Sequence, residues 1–295
     1  MPQAGRSDIF AVTGVTGQVG GAVARTLLQF GKRVRAVVRD AQRANVWRDE
    51  GCEIAVADMN DARALRSAFA GIEGVFVLLP PIFAPSKGFP EIAAIISALK
   101  EAIDGAKPKK VVCLSTIGAQ AVQENLLTQL QMMEKSLGTL PMPVGFLRAG
   151  WFLENASWDV ESACKGQIRS FLQPLDKKFP MVATADVGRV VAELLQENWT
   201  GKKIVELEGP ARVSPNEIAA TFSKVLGKPV KVSLLPREEW EAFFKQAGMQ
   251  DPQPRIRMLE GFNEGWICFE WEDKTIKGKI PLETVLRGLV AIGNT

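Results

Sequence analysis

The stretch from Ile9 to Gly20, IFAVTGVTGQVG, decides the fold. Its first five residues form an apolar run, glycine follows at positions 14, 17 and 20, and an amphipathic segment begins within the glycine pattern. A buried strand, a glycine-rich turn and a helix in this order are typical of a phosphate-binding α/β crossover. Gly14 allows the tight turn, Gly17 the close approach of a pyrophosphate, and Gly20 the packing of helix on strand. The residues that we expect to contact a dinucleotide here are Gly14, Thr16, Gly17, Gln18, Val19 and Gly20.

The alternation of short apolar runs with longer amphipathic segments continues to about residue 148. Runs rich in Val, Ile, Leu and Phe are typical of strands that helices cover on both faces of a parallel sheet. Strands are predicted over 9–13, 33–38, 53–57, 74–79, 110–114 and 144–147, and helices over 17–30, 91–102 and 121–137. The predicted fold class is therefore α/β, with a Rossmann-type doubly wound parallel sheet.

The pattern changes after Leu147. Residues 148–180 are irregular, and an amphipathic helix is predicted over 186–196. A capping box at Ser214, with proline at the first helical position, predicts a further helix that ends at Gly227. We expect a dinucleotide-binding domain over 1–150 and a smaller α+β substrate lobe over 151–295, with 184–207 returning to the main sheet.

Composition excludes several classes of function. The 36 Lys and Arg residues against 33 Asp and Glu leave a net charge of +3, so no basic field for nucleic acid is expected. No histidine is present, which excludes Ser-His-Asp and Cys-His catalysis, and the four cysteines form no CxxC pair, so no metal site is expected. Because the sequence shows no signal segment and no long apolar run, we expect a cytoplasmic protein with no membrane partner. We expect it to be either a monomer or a homodimer.

Two charged residues after the second predicted strand bear on the choice of dinucleotide. Asp40 stands where a carboxylate would bind the ribose 2′-hydroxyl of NAD, whereas Arg39 would meet the 2′-phosphate of NADP. We favour Arg39, supported by Arg43 one turn further on, because Asp40 is also placed to cap the following helix. The alternative is that both arginines are solvated surface charges. Asp58, after the third strand, either binds the adenine amino group or only begins the next helix.

Residues that follow the fourth and fifth predicted strands are expected near the nicotinamide. Leu79 and Pro80 stand where the nicotinamide ribose would pass, and Pro81 is expected on the substrate side. Ser115 and Thr116 would contact the nicotinamide, or would only cap the end of their strand.

Six stretches of the chain resemble the NmrA-like branch of the atypical short-chain dehydrogenases, a group that includes quinone oxidoreductases, triphenylmethane reductase and NADP-sensing regulators. They are AVTGVTGQVG (11–20), VVRDAQRA (37–44), LSTIGA (114–119), LRAGWFLEN (147–155), TADV (184–187) and ELEGPARVSPNEIA (206–219). The resemblance implies NADP(H) in the N-terminal lobe, with its nicotinamide facing a pocket under the C-terminal lobe. It also implies that Trp151, Phe152 and Asn155 line the acceptor pocket, where aromatic walls suit a flat molecule.

The chain departs from the short-chain dehydrogenases at the expected proton donor. Typical members use Tyr-x-x-x-Lys on the helix after the fifth strand, and this chain has no tyrosine. The resemblance puts Gln131 where many relatives carry a ribose-binding lysine. Lys135, one turn further on, either substitutes for that lysine in part or is a solvated helix-end residue. Gln131, Lys135 and Asn155 are the catalytic candidates, and Glu154 would be a base only if burial raises its pKa.

The missing acid restricts the chemistry. Hydride transfer to a quinone creates a delocalised oxyanion that water can protonate, whereas an unactivated ketone needs a donor in the transition state. We therefore expect an NADPH-dependent reductase of a quinone or a similar small conjugated acceptor. The alternative is a non-catalytic regulator that binds NADP(H), which the missing tyrosine and Gln131 favour, whereas the intact segment 151–155 favours the reductase.

Overall fold

The computed structural model describes residues 8–293, except for the side chains at positions 43 and 293. Its strands are β1 (Ile9–Thr13), β2 (Arg33–Val38), β3 (Glu53–Val56), β4 (Gly74–Val77), β5 (Lys110–Thr116), β6 (Val144–Ala149), β7 (Trp151–Phe152), β8 (Gln167–Ser170), β9 (Met181–Val182), β10 (Lys202–Glu208), β11 (Lys231–Leu234) and β12 (Ile276–Lys277). Its α-helices are α1 (Gln18–Gln29), α2 (Asn45–Asp49), α3 (Ala62–Ala68), α4 (Pro90–Ala106), α5 (Thr128–Leu137), α6 (Val160–Cys164), α7 (Thr184–Gln196), α8 (Pro215–Leu226), α9 (Trp240–Gln246), α10 (Gln253–Glu264) and α11 (Leu282–Gly293).

Eight strands form the main sheet, in the order β12-β10-β6-β5-β4-β1-β2-β3, and all neighbouring pairs are parallel. The predicted fold class, an α/β protein with a doubly wound parallel sheet, is confirmed. The chain winds outward from β1 in one direction through β2 and β3, and in the other through β4, β5 and β6. The reversal between β1 and β4 opens a crevice at the carboxyl ends of these strands, where ligands of such sheets bind.

Helices cover both faces of this sheet, and the apolar stripes of the helices explain their positions. On one face, α1 buries Val19, Val23 and Leu27 in the same cluster as the apolar residues of α7. On the other face, α4 buries Ile92 and Leu99 in the cluster that also contains residues of α3 and α5. Each fully buried side chain of this size contributes roughly 1.5–3 kcal/mol to folding, so both layers are held mainly by apolar contact.

The helix predicted over 121–137 begins only at Thr128, so its first two turns were predicted wrongly. Gly118 has a φ of +76°, and the side chain of Asn125 accepts a hydrogen bond from the backbone N–H of Leu127. The backbone N–H of Asn125 in turn donates to Oγ1 of Thr128. These local side-chain bonds compete with helical ones and delay the start of the helix.

The main sheet continues beyond residue 150, because β10 pairs with β6 and β12 with β10. The remaining C-terminal elements form two smaller parallel pairs, β7 with β9 and β8 with β11, together with two further apolar clusters. Helix α8 begins with the predicted capping box of Ser214 and Glu217, and ends at Gly227 with a φ of +66°. Among residues 8–293, no helix combines the length and the apolar composition that crossing a bilayer requires.

Candidate functional site

The turn after β1 requires glycine at two positions. Gly14 has a φ of +67°, and a Cβ atom there would lie 2.6 Å from Cδ2 of Leu78. A Cβ atom at Gly20 would lie 2.2 Å from the carbonyl oxygen of Gly14, because the first turn of α1 packs directly on the loop. Gly14 is therefore explained by its left-handed conformation, and Gly20 by the close approach of the Gly14 backbone.

The N-terminus of α1 is open to the crevice. Gly17 occupies the cap position with extended backbone, and no described side chain caps the helix there. Thr16, Gly17 and Gln18 are exposed, whereas the side chain of Val19 is buried in the core, which leaves only its backbone N–H for a ligand. Uncapped N–H groups at the start of a 12-residue helix favour an anion such as a pyrophosphate.

Thr13 fixes the two strands at the switch point to each other. Its hydroxyl donates to the carbonyl of Phe76 at 3.2 Å and accepts from the N–H of Leu78 at 2.8 Å. The bonds hold the end of β1 beside the end of β4. Sequence reasoning did not identify this role, because the partners are 63 and 65 residues away from Thr13.

Asp40 caps the helix that follows β2, as the sequence analysis expected. Its carboxylate accepts a hydrogen bond from the N–H of Gln42 at 2.8 Å and caps a 3₁₀-helix over Ala41–Ala44. Arg39 is exposed at the end of the strand. The side chain of Arg43 lies outside the described part of the structure, so the predicted pair of arginines stays a prediction.

Asp58 forms a turn with its own neighbour. Its carboxylate accepts hydrogen bonds from the backbone N–H and the side-chain amide of Asn60, at 2.9 and 3.1 Å. These two bonds lower the pKa of Asp58, and the charge of Arg39 lowers it further. Asp58 therefore has a sufficient local role, and it lies close enough to Arg39 to interact with it electrostatically.

A cavity of about 300 Å³ opens at the carboxyl ends of β4, β5 and β6. The eight residues that were predicted for the nicotinamide and acceptor sides all line it: Leu79, Pro80, Pro81, Ser115, Thr116, Trp151, Phe152 and Asn155. A larger cavity of about 640 Å³ adjoins it and shares Trp151, Phe152, Asn155, Trp158 and Arg255. The walls are mostly apolar and aromatic, which suits a flat ligand.

A buried polar network lies behind Ser115. The Ser115 hydroxyl donates to Oε1 of Glu134 at 2.6 Å, and Arg148 donates to both oxygens of the same carboxylate, at 2.9 and 2.8 Å. Arg148 also bonds Glu270 at 2.7 Å and lies 3.7 Å from Glu206. Burial alone would lower the pKa of Arg148, but the carboxylates of Glu134 and Glu270 raise it above its ordinary value.

The network changes what Ser115 can do. Because its hydrogen is used by Glu134, the hydroxyl presents only acceptor lone pairs to the cavity. Sequence reasoning missed Glu134. The available signal was an acidic residue next to Met133 on the buried face of α5, where an unpaired charge would be costly.

Gln131 and Lys135 do not line either cavity. The Gln131 amide donates to the carbonyls of Ala119 and Ala121, at 3.0 and 2.9 Å, and its oxygen accepts from the exposed Lys135 at 2.9 Å. Gln131 therefore holds the turn before α5. The catalytic roles predicted for these two residues stay predictions that no contact in the structure supports.

Glu154 and Asn155 are neighbours with different roles. The Glu154 carboxylate accepts from the N–H of Thr184, at 2.9 and 3.0 Å, and from its hydroxyl at 2.7 Å, and so caps α7. Burial raises the pKa of Glu154, yet the residue lines neither cavity, which argues against a role as base. The Asn155 side chain lines both cavities and forms no hydrogen bond within residues 8–293, so its amide is available to a ligand.

The chain is similar to known reductases over most of its length. The chain is 27% identical over 246 residues to quinone oxidoreductase 2 of Escherichia coli, covering 82% of this chain and 83% of that protein. It is 27% identical over 246 residues to an NAD(P)H azoreductase of Xenophilus azovorans, covering 81% and 82%. The solved structure of an Escherichia coli NADPH-dependent quinone oxidoreductase with NADPH has the same fold, with a TM-score of 0.79, 23% identity and coverage of 97% and 100%. The model of the NmrA-like family matches residues 6–251, and the chain belongs to that family.

Proposed function

We propose that this protein is an NADPH-dependent reductase whose acceptor is a quinone or another flat conjugated small molecule. The observation that carries the proposal is the aromatic cavity at the carboxyl ends of β4, β5 and β6, beside the glycine turn. The names of the relatives, a quinone oxidoreductase and an azoreductase, support the same reaction class.

The residues around the crevice fit a dinucleotide. Gly14 and Gly20 leave no room for side chains, and the uncapped N–H groups of α1 would bind the pyrophosphate. Arg39 would bind the 2′-phosphate. When bound, NADPH supplies a hydride at the nicotinamide. In this proposal the cofactor lies in residues 1–150, and the acceptor lies between them and the lobe over 151–295.

The cavity residues would position the acceptor and exclude water. Trp151 and Phe152 offer flat apolar surfaces, and the free amide of Asn155 would donate a hydrogen bond to the oxygen or nitrogen that receives charge. No acidic side chain among the described residues lines the 300 Å³ cavity, and the hydrogen of Ser115 is already used. Reduction is therefore restricted to acceptors whose reduced anion is a weak base.

A regulator that binds NADP(H) without turnover is the second candidate. It is favoured by the position of Gln131 and Lys135 away from both cavities. The cavity beside the crevice favours the reductase instead, since a sensor has no need of an acceptor site.

Oxidation of NADPH with a panel of acceptors tests the proposal. We expect turnover with benzoquinone or naphthoquinone and none with cyclohexanone, because only the ketone needs an acid in the transition state. Calorimetry with NADPH alone completes the experiment. Binding without turnover of any acceptor would leave the regulator, and absence of binding would overturn both candidates.

A further inference from the structure

We propose that Arg255 is an anion-binding, specificity-determining residue that selects conjugated acceptors carrying a carboxylate, sulfonate or phosphate group. The inference rests on the proposed reductase function, because it concerns the acceptor of the same site. It begins from the position of Arg255 at the start of α10, in the wall that the two cavities share.

The guanidinium of Arg255 forms no hydrogen bond and no ion pair within residues 8–293, and its Nε atom is buried. A buried and a partly buried arginine elsewhere are paired: Arg148 with Glu134, and Arg257, two residues further along α10, with Glu260. A guanidinium withdrawn from water without a counter-ion is costly, so the unpaired state of Arg255 calls for a physical reason.

Aromatic rings provide part of the compensation. The guanidinium carbon lies 5.3 Å from the ring centroid of Phe83, 5.4 Å from that of Trp158 and 4.9 Å from that of Phe244. These contacts stabilise the charge through the ring faces, but they leave the N–H donors without acceptors. The planar fork of donors matches the oxygens of a carboxylate, sulfonate or phosphate.

No described carboxylate of the protein serves as that partner. Asp159 also lines the larger cavity, but burial alone raises its pKa, and Arg255 does not offset the rise. Burial likewise lowers the pKa of Arg255, and no acidic group counteracts it. Among the described residues, the wall that the two cavities share therefore combines flat apolar surfaces, one free amide at Asn155 and one permanent unpaired cation at Arg255. A flat acceptor with an acidic substituent satisfies all three.

The first arm of the test measures binding without turnover. Calorimetry of the full chain with naphthalene sulfonate and with the neutral naphthalenemethanol compares two ligands of similar shape. We expect Arg255→Gln to weaken the sulfonate by about 10- to 100-fold and the neutral ligand by less than about threefold. The matched control is Arg169→Gln, since Arg169 also lines the larger cavity and lies 5.6 Å from the Phe243 ring, but is exposed. We expect the control to change neither affinity.

Arg255→Lys guards against loss of folding, because lysine keeps a cation among the aromatic rings. It should unfold at the wild-type temperature and still lose several-fold in sulfonate affinity, since an ammonium cannot bind two oxygens in the planar fork. Equal losses for the sulfonate and the neutral ligand would show a purely structural arginine. Equal losses of sulfonate affinity in Arg255→Gln and Arg169→Gln would show that only the general positive field of the cavity acts. Each of these two results would overturn the proposal.

The second arm uses turnover. Naphthoquinone sulfonate should have a lower KM than naphthoquinone in the wild type, and the difference should disappear in Arg255→Gln. The two arms separate the two proposals. Arg255-dependent sulfonate binding without quinone turnover would overturn the reductase alone, and quinone turnover without any sulfonate preference would overturn the role of Arg255 alone.

Discussion

The hydroxyl of Ser115 donates a 2.6 Å hydrogen bond to Glu134, and this bond joins the cavity wall to a buried ion pair. Glu134 is 6% exposed and its partner Arg148 is 4% exposed. The pair connects the end of β5, helix α5 and the end of β6 behind the cavity. Replacing a whole buried ion pair by apolar groups can be neutral, but removing one partner leaves an uncompensated charge.

Glu134→Gln is therefore expected to lower the free energy of unfolding by about 2–4 kcal/mol. This is less than the usual loss of about 3–5 kcal/mol for a broken buried pair, because Arg148 keeps its contact with Glu270. Urea denaturation measures the change. Glu161→Gln is the control. Glu161 pairs with Lys165 on the exposed face of a helix, so its loss should leave the free energy of unfolding nearly unchanged. Similar losses in the two variants would contradict the structural importance of the buried pair.

The difference between these two glutamates also shows where sequence reasoning ends. The strands up to residue 149 and the capping box at Ser214 follow from local patterns, because periodicity and capping act within a few residues. The bonds from Arg148 to Glu134 and Glu270 join residues 14 and 122 positions apart. Likewise, β12 is only two residues long and joins the sheet by tertiary contact. No local pattern reports such pairings.

For the site, the same distinction holds. The lining of the cavity could be predicted in two ways: Ser115 from its place at the end of β5, because the carboxyl ends of parallel strands meet at one edge of the sheet, and Trp151 and Asn155 from the resemblance to the NmrA-like family. The side-chain bonds could not. Gln131 is bound to the turn before its own helix, and the unpaired state of Arg255 depends on which rings and acids surround it.

Arg39→Gln is expected to weaken NADPH binding by roughly 10- to 150-fold and to leave NADH unchanged. The reason is the loss of the charged hydrogen bond that the proposal gives to the 2′-phosphate. Calorimetry with both dinucleotides measures the effect. Arg33→Gln is the control at the opposite end of the same strand, where Arg33 bonds Glu53. An unchanged preference for NADPH in Arg39→Gln would remove Arg39 from the cofactor site.

Gly20→Ala is expected to destabilise the fold by about 1–3 kcal/mol, as overpacking does, and to weaken NADPH binding at least tenfold. Its Cβ atom would lie 2.2 Å from the Gly14 carbonyl oxygen, so the phosphate turn would have to move. Gly288→Ala is the control in α11, because no atom lies within 4 Å of a Cβ atom there. That change should be neutral or stabilise by about 0.5–1 kcal/mol. Thermal unfolding and calorimetry distinguish the two outcomes.

Asn155→Ala is expected to lower kcat/KM for quinones by about 10- to 100-fold, because the only free amide of the shared cavity wall among the described residues would be lost. Lys135→Ala should leave kcat/KM within about twofold, since Lys135 bonds Gln131 outside both cavities. Steady-state kinetics with naphthoquinone measures both. A larger fall in kcat/KM for Lys135→Ala than for Asn155→Ala would contradict the catalytic role of Asn155 and favour Lys135.

Asp159→Asn should stabilise the protein in a pH-dependent way. Asp159 ends the 3₁₀-helix over Leu153–Asp159, and burial raises its pKa from 3.8 to about 6. Between these values the folded protein holds a proton that the unfolded chain has lost. Stability is therefore fully present below pH 3.8 and decreases as the pH rises through about 6, by at most about 3 kcal/mol.

Asparagine carries no charge, so the variant should match the wild type near pH 4 and exceed it increasingly up to about pH 7, with a constant difference above. Urea denaturation across this range measures the free energy of unfolding of both proteins. Asp176→Asn is the control, because it removes an exposed carboxylate instead of a buried one. A difference between Asp159→Asn and the wild type that stays the same from pH 4 to 8 would mean that the Asp159 carboxyl does not titrate in this interval, and that burial does not act on it as the structure indicates.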